Sequence, residues 1–278
     1  MLHEKININV DYKKLGLDNN GFQPTLHTYV LDNSPSIDAS RIRKAVVICP
    51  GGGYEYTSDR EGEAIAIKLN SMGYQAFVLR YSTAPADFPV ALYELATAMA
   101  IVRENSKQWH IDPNKIVVGG FSAGGHLAGC LGMLWNNGVI EKELGISKEL
   151  FKPNGMLLSY PVITSKKFAH RNSFINLLGK RYDELVDKVS LEDQVSEDTP
   201  PAFIWHTYTD QAVPVENSLL LAASMKKYNI PLELHIYPHG THGLGLASYE
   251  TAKKDFEEHI QYECQNWIDM FGVWLRNL

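Results

Sequence analysis

The sequence predicts an α/β protein: a mostly parallel, twisted sheet of about seven to eight strands with helices on both faces. Three observations carry that expectation. Strand-like apolar runs alternate with helix-like stretches almost throughout. The runs are continuously apolar rather than alternating with polar residues, as in strands buried on both faces. The intervening stretches are long enough for the helical crossovers that parallel neighbours need.

The elements follow in order. The first forty residues read as an irregular start with one strand, Thr25 to Leu31, and a turn-rich stretch around Asn33-Ser34-Pro35-Ser36. Ala45 to Cys49 is a strand that runs into Pro50-Gly51-Gly52-Gly53, followed by a helix from about Glu61 to Ser71. Strand Gln75 to Tyr81 and a helix from Val90 to Asn105 come next, then a turn at Asp112-Pro113-Asn114 and strand Lys115 to Val118. A helix from Ala123 to Trp135 precedes strand Gly155 to Tyr160. The last strands are Ala202 to Thr207 and Leu232 to Tyr237, with helices at Val215 to Tyr228 and Ala252 to Arg276. Residues 163–201 hold no convincing strand and are rich in Lys, Asp, Glu and Ser, so they are expected to form an insertion over the sheet edge. It is either a solvated helical excursion or a partial lid on a pocket.

Composition narrows the function. The chain has 278 residues, 45% hydrophobic and 21% charged, far from the signature of disorder. A net charge of -6 without a block of Lys and Arg lacks the footprint of a nucleic-acid binder. No apolar run approaches the roughly 18 residues that span a bilayer. Met1 to Ile8 does not read as a signal peptide, and Cys49, Cys130 and Cys264 are too few and too scattered for a disulfide frame. Cytoplasm is therefore the expected compartment.

The most informative residues are Gly120-Phe121-Ser122-Ala123-Gly124, a Gly-x-Ser-x-Gly pentapeptide between a strand and a helix. A serine on so tight a turn points its hydroxyl away from the sheet, and the helix N-terminus favours negative charge there. A hydroxyl attacks only when a base takes its proton and a third group holds the base, in the chain order Ser, acid, His. Asp210, after strand Ala202 to Thr207, and His242, after strand Leu232 to Tyr237, meet that order. His239 is the rival base but sits against a strand end after Pro238; Glu216 and Asp198 are rival acids but lie on a helix and in the insertion. His126 and His206 read as structural. The glycine run after Cys49 has no Lys-Ser/Thr ending of a phosphate loop, so the N–H groups of Gly52, Gly53 and Ala123 are expected to form an oxyanion hole. His235, His239 and His242 lack metal-ligand spacing on a strand, and no metal is expected.

Several stretches together resemble a known family. Pro50-Gly51-Gly52-Gly53-Tyr54, Ser58-Asp59-Arg60-Glu61-Gly62, Leu79-Arg80-Tyr81 and Gly120 to Ala128 are similar to the esterase branch of the α/β-hydrolases related to bacterial acetyl-xylan esterases. Thr199-Pro200-Pro201, Trp205-His206-Thr207, Val213 to Ser218, Tyr237-Pro238 and His242-Gly243 continue the resemblance. One departure is Cys49-Pro50 in place of the commoner His before the glycines. The resemblance implies hydrolysis of short acyl esters, often acetyl groups on plant-polysaccharide sugars, without a cofactor. The expected partner is a small ester, with no nucleic acid and no membrane; a homo-oligomer is compatible with the sequence. Tyr54, Tyr56, Tyr160, Trp135 and Tyr208 are candidates for stacking on sugar rings. A serine peptidase of the same fold and a non-catalytic binding protein are the rival functions. Because the three site residues spread over most of the strands, residues 1–278 are read as a single domain.

Overall fold

The computed structural model describes all of residues 1–278. Its eight strands are β1 (Lys5–Asn7), β2 (Thr25–Tyr29), β3 (Arg43–Cys49), β4 (Gln75–Arg80), β5 (Ile111–Phe121), β6 (Gly155–Ser159), β7 (Ala202–Thr207) and β8 (Leu232–Tyr237). They form one sheet in the order β1-β2-β4-β3-β5-β6-β7-β8. β1 and β2 are antiparallel to their neighbours, and every pairing from β4 to β8 is parallel.

The helices are α1 (Tyr12–Leu15), α2 (Glu63–Ser71), α3 (Val90–Glu104), α4 (Ala123–Leu134), α5 (Val139–Leu144), α6 (Lys148–Phe151), α7 (Arg171–Leu178), α8 (Tyr182–Leu185), α9 (Glu216–Lys227) and α10 (Trp267–Asn277). They cover both faces, because a parallel strand must bury two sides. On β3, Ala45, Val47 and Cys49 join the core shared with α3, α4 and α9, while Val46 and Ile48 join the core shared with α2 and α10. That division explains why the strands read as unbroken apolar runs.

Four expectations need correction. The short β1 lies in the start read as irregular, where three residues are too few to show a pattern. The Asp112-Pro113-Asn114 turn is present, with Asn114 N–H on Asp112 Oδ1 at 2.9 Å, but β5 starts before it at Ile111, and the register against β3 shifts between Arg43 and Ala45. The closing helix begins only at Trp267: Asp255 has φ 63°, and residues 252–266 instead make short 3-10 turns. The insertion does not lie at a sheet edge, since β6 and β7 are interior strands. It packs Phe174, Leu177, Leu178, Leu185, Val189 and Leu191 into the main core, which makes it a fixed wall.

Candidate active site

The sharp turn comes first. β5 ends at Phe121, α4 starts at Ala123, and Ser122 between them has φ 55° and ψ -121°. A non-glycine residue in the left-handed region is strained and needs support. Ser122 is held by its N–H on the Ser159 carbonyl at 3.0 Å, and its own carbonyl accepts from Val162 at 3.0 Å. Gly120 and Gly124 are required by close approach: a Cβ on Gly120 would strike the Gly124 backbone, and one on Gly124 the Cys49 and Pro50 carbonyls.

The strand-end loops then meet. His242 Nε2 is 2.7 Å from Ser122 Oγ, and His242 Nδ1 is 2.6 Å from Asp210 Oδ2. Asp210 Oδ1 accepts the backbone N–H groups of Ala212 at 3.0 Å and Val213 at 2.9 Å. Burial pushes the Asp210 carboxyl up, but the hydrogen bonds and charges of His206 and His242 outweigh it and hold the group below the usual carboxylate range. The three residues read from the sequence are therefore brought together. The rivals are not: His239 and Asp198 are exposed, and Glu216 starts α9.

His206 sits on β7, next to the edge strand β8. It is fully buried, with Nδ1 2.8 Å from Ser218 Oγ and Nε2 2.9 Å from the Val213 carbonyl. A carbonyl only accepts, so Nε2 carries the proton, and it stands 3.4 Å from Asp210 Oδ2.

The glycine loop is held from below by one carboxylate. Gly51 N–H donates to Glu61 Oε2 at 2.8 Å, and Tyr160 O–H donates to Glu61 Oε1 at 2.8 Å. Tyr160 Oη in turn accepts the Gly245 N–H at 2.8 Å, tying in the loop that carries His242. Tyr81 O–H donates to the Pro50 carbonyl at 2.6 Å. The N–H groups of Gly52 and Gly53 have no intramolecular acceptor, and Ala123 opens α4, where N–H groups lack intrahelical partners.

Ser122 and His242 open into a pocket of about 370 Å³ whose walls are almost wholly polar, among them Arg60, Glu61, His170, Asn172 and Asn176. Tyr56 is its one aromatic contribution.

Comparisons with known proteins place the chain in a family. The family model described as BD-FAE matches residues 34–225. The chain belongs to the BD-FAE family. The chain is 37% identical over 235 residues to a Butyrivibrio fibrisolvens protein named endo-1,4-beta-xylanase B, and 32% identical over 242 residues to an acetylxylan esterase of Xylanibacter ruminicola. Those matches cover 83% and 84% of this chain but only 36% and 46% of the two relatives. Among solved structures, the acetyl ester-xyloside bifunctional hydrolase of Caldicellulosiruptor lactoaceticus is 38% identical with a TM-score of 0.83, covering 99% of this chain and 96% of that one. A carboxylesterase of Lactobacillus plantarum is 25% identical with a TM-score of 0.85, covering 100% and 98%. The sheet order and helices are those of an α/β-hydrolase.

On this BD-FAE fold, sequence reasoning missed the wall. His170, Asn172 and Asn176 come from the insertion, and Asn176 Nδ2 donates to the Gly53 carbonyl at 2.9 Å. His170 is held at 2.8 Å from Ser173 Oγ; burial first, then the nearby His242 charge, keeps its ring from protonating as readily as a free imidazole. Of the stacking candidates, Tyr54, Tyr160 and Trp135 are buried and only Tyr56 and Tyr208 are exposed. His235 pairs with Glu233 at 2.8 Å, and no group of three or more His, Cys, Asp or Glu side chains is arranged to hold a metal ion. No helix is long and apolar enough to cross a membrane.

Proposed function

We propose that this chain is a serine esterase that removes short acyl groups, acetyl foremost, from sugars or xylo-oligosaccharides. The observation that carries it is the line Ser122 Oγ, His242, Asp210 at 2.7 and 2.6 Å beside unpartnered backbone N–H groups. His242 takes the Ser122 proton as Oγ attacks the ester carbonyl, and Asp210 holds the ring and stabilises the imidazolium. The N–H groups of Gly52, Gly53 and Ala123 receive the oxyanion, each worth on the order of 3 kcal/mol. His242 then protonates the leaving sugar alcohol, and water, deprotonated by His242, releases the acyl group from Ser122. The sequence of steps needs no cofactor.

Pocket chemistry supports the substrate class. A cavity of about 370 Å³ lined by carboxylate, amide, imidazole and guanidinium groups suits hydroxyl-rich sugars and offers no apolar channel for a fatty acyl chain. The relatives' printed names, acetylxylan esterase and acetyl ester-xyloside hydrolase, point the same way. We read residues 1–278 as one domain, because the site draws on β3, β5, β7 and β8 of a single sheet.

Ser122→Ala is expected to lower turnover of p-nitrophenyl acetate by roughly 10⁴-fold or more and to abolish fluorophosphonate labelling, with circular dichroism unchanged. Wild-type turnover in that folded variant overturns the reading.

A further inference from the structure

Beside the catalytic pocket, residues 249–262 line a groove of about 850 Å³. Three aromatic rings border it that the core does not use: Tyr249 is 85% exposed, Tyr262 82% and Phe256 47%. Trp205, Trp267, Phe203 and Phe271 are essentially inaccessible in the core, and although Tyr56 and Tyr208 are also exposed, Tyr249 and Tyr262 are the most exposed aromatic rings of the chain. Rings exposed beside the charged side chains Lys253, Lys254 and Glu257, with the Lys253 ammonium 5.9 Å from the Phe256 ring centre, form the mixed surface of a ligand groove.

Two features set the groove directly beside the pocket. Lys253 lines both. Phe256, on the groove side, stacks on His259, on the pocket side, with ring centroids 5.4 Å apart and planes 11° from parallel. His259 is fixed by the Lys253 backbone N–H, 3.3 Å from its Nδ1. One pair of rings therefore forms the partition between the two spaces.

We propose that this groove binds the sugar chain that carries the ester, with the acylated residue in the pocket and the neighbouring sugars over Tyr249, Phe256 and Tyr262. The inference rests on the esterase reading and deepens it by giving the unacylated part of the sugar chain a site of its own. Sugar rings present flat C–H faces to aromatic rings and hydroxyls to charged groups, which matches this lining. An acyl chain would need continuous apolar walls, and Lys253, Lys254, Asp255 and Glu257 interrupt them. A wall shared with the pocket favours one molecule long enough to reach over it into both spaces, which a second copy of the chain would not do.

The test is a chain-length series of acetylated xylose and xylo-oligosaccharides, with p-nitrophenyl acetate as the control. Wild-type kcat/KM is expected to rise with chain length. In the double variant Tyr249→Ala, Tyr262→Ala, KM for the longest substrate rises roughly tenfold at unchanged kcat, and p-nitrophenyl acetate kinetics stay as in wild type. A flat length dependence alongside hydrolysis of acetylated xylose overturns the groove and leaves the esterase reading standing. Turnover of p-nitrophenyl acetate but of no acetylated sugar overturns the groove and the sugar preference. Hydrolysis of no ester at all removes the esterase reading itself. A double variant that loses a wild-type dimer in sedimentation while keeping its length dependence assigns the rings to contact between copies, which also overturns the proposal.

Discussion

The proposed chemical centre and the wall of the pocket are built from two different kinds of chain. Ser122, Asp210, His242 and the glycine loop each follow a strand of one sheet, so hydrogen-bonded neighbours fix their relative positions. The wall comes from residues 163–201 and 249–262, which contribute no strand and only short helices and 3-10 turns. A sheet end gives precision where the reacting atoms lie. An irregular segment can present Asn172, His170 or an exposed Tyr without disturbing that precision, so substrate choice can vary while the chemistry stays fixed.

The two regions are joined at His126, and the largest effect is expected there. His126 lies on α4, one turn past Ser122, and is fully buried. Its Nε2 donates to the Val189 carbonyl of the insertion at 2.8 Å, so its Nδ1 accepts from Tyr54 O–H of the glycine loop at 2.9 Å. Burial lowers its pKa from 6.5 to about 4, against the opposing pull of the Val189 carbonyl. The unfolded chain therefore binds a proton below about pH 6.5 that the folded chain refuses until about pH 4. Where the unfolded state holds more protons, stability falls with falling pH, and the His126 contribution to that loss approaches 3 kcal/mol across the window. Thermal melts from pH 7.5 to 4.5 should show a steep decline in the wild type. His126→Gln should melt lower at pH 7.5 yet decline less, so that the two curves converge in acid. Parallel curves would show that the joint does not carry the acid sensitivity.

A smaller effect is expected at Glu61, which borders the pocket and holds the glycine loop from below. Its two oxygens accept from Gly51 N–H and Tyr160 O–H, and Tyr160 holds Gly245. Glu61→Ala leaves both donors unmatched in a buried place, at about 2 kcal/mol. A displaced glycine loop weakens the transition state more than the bound ester. Accordingly kcat for p-nitrophenyl acetate should fall roughly thirtyfold with KM little changed. A pure KM effect would leave Glu61 as a wall residue alone and remove its role in positioning the glycine loop.

The same contrast governs what could be read from the sequence. The convergence of Ser122, Asp210 and His242 is legible because strand ends announce themselves by apolar runs and the turn around Ser122 by its glycines. The role of Glu61 was not: it stood in Ser58-Asp59-Arg60-Glu61-Gly62 as one acidic residue among several, and only the tertiary approach of Gly51 and Tyr160 gives it a task. The 252–266 stretch misled for a related reason. Ala252, Phe256 and Ile260 recur at helical spacing, but Phe256 turns to the groove and Asp255 takes a left-handed backbone, so the periodicity had no core to face. Patterning reveals elements that bury a face; it is silent where a segment's partners are a pocket and solvent.

The smallest expected effect decides whether wall and centre are separable. Asn176, in the insertion, donates from Nδ2 to the Gly53 carbonyl at 2.9 Å and also lines the pocket. It supports the carbonyl of a residue whose N–H, not its carbonyl, is assigned to the oxyanion, and the peptide is already set by Gly51 and Tyr54 on either side. Removing one such bond to a half-buried acceptor costs about 1 kcal/mol or less. Asn176→Ala should lower kcat/KM for acetylated xylose about threefold, chiefly through KM, and leave p-nitrophenyl acetate within twofold of wild type. A fall in kcat as deep as that of Glu61→Ala, on both substrates, would mean that the insertion holds the glycine loop as firmly as the sheet does. The wall would then belong to the chemistry, and variation in residues 163–201 could not retune the substrate without slowing the reaction.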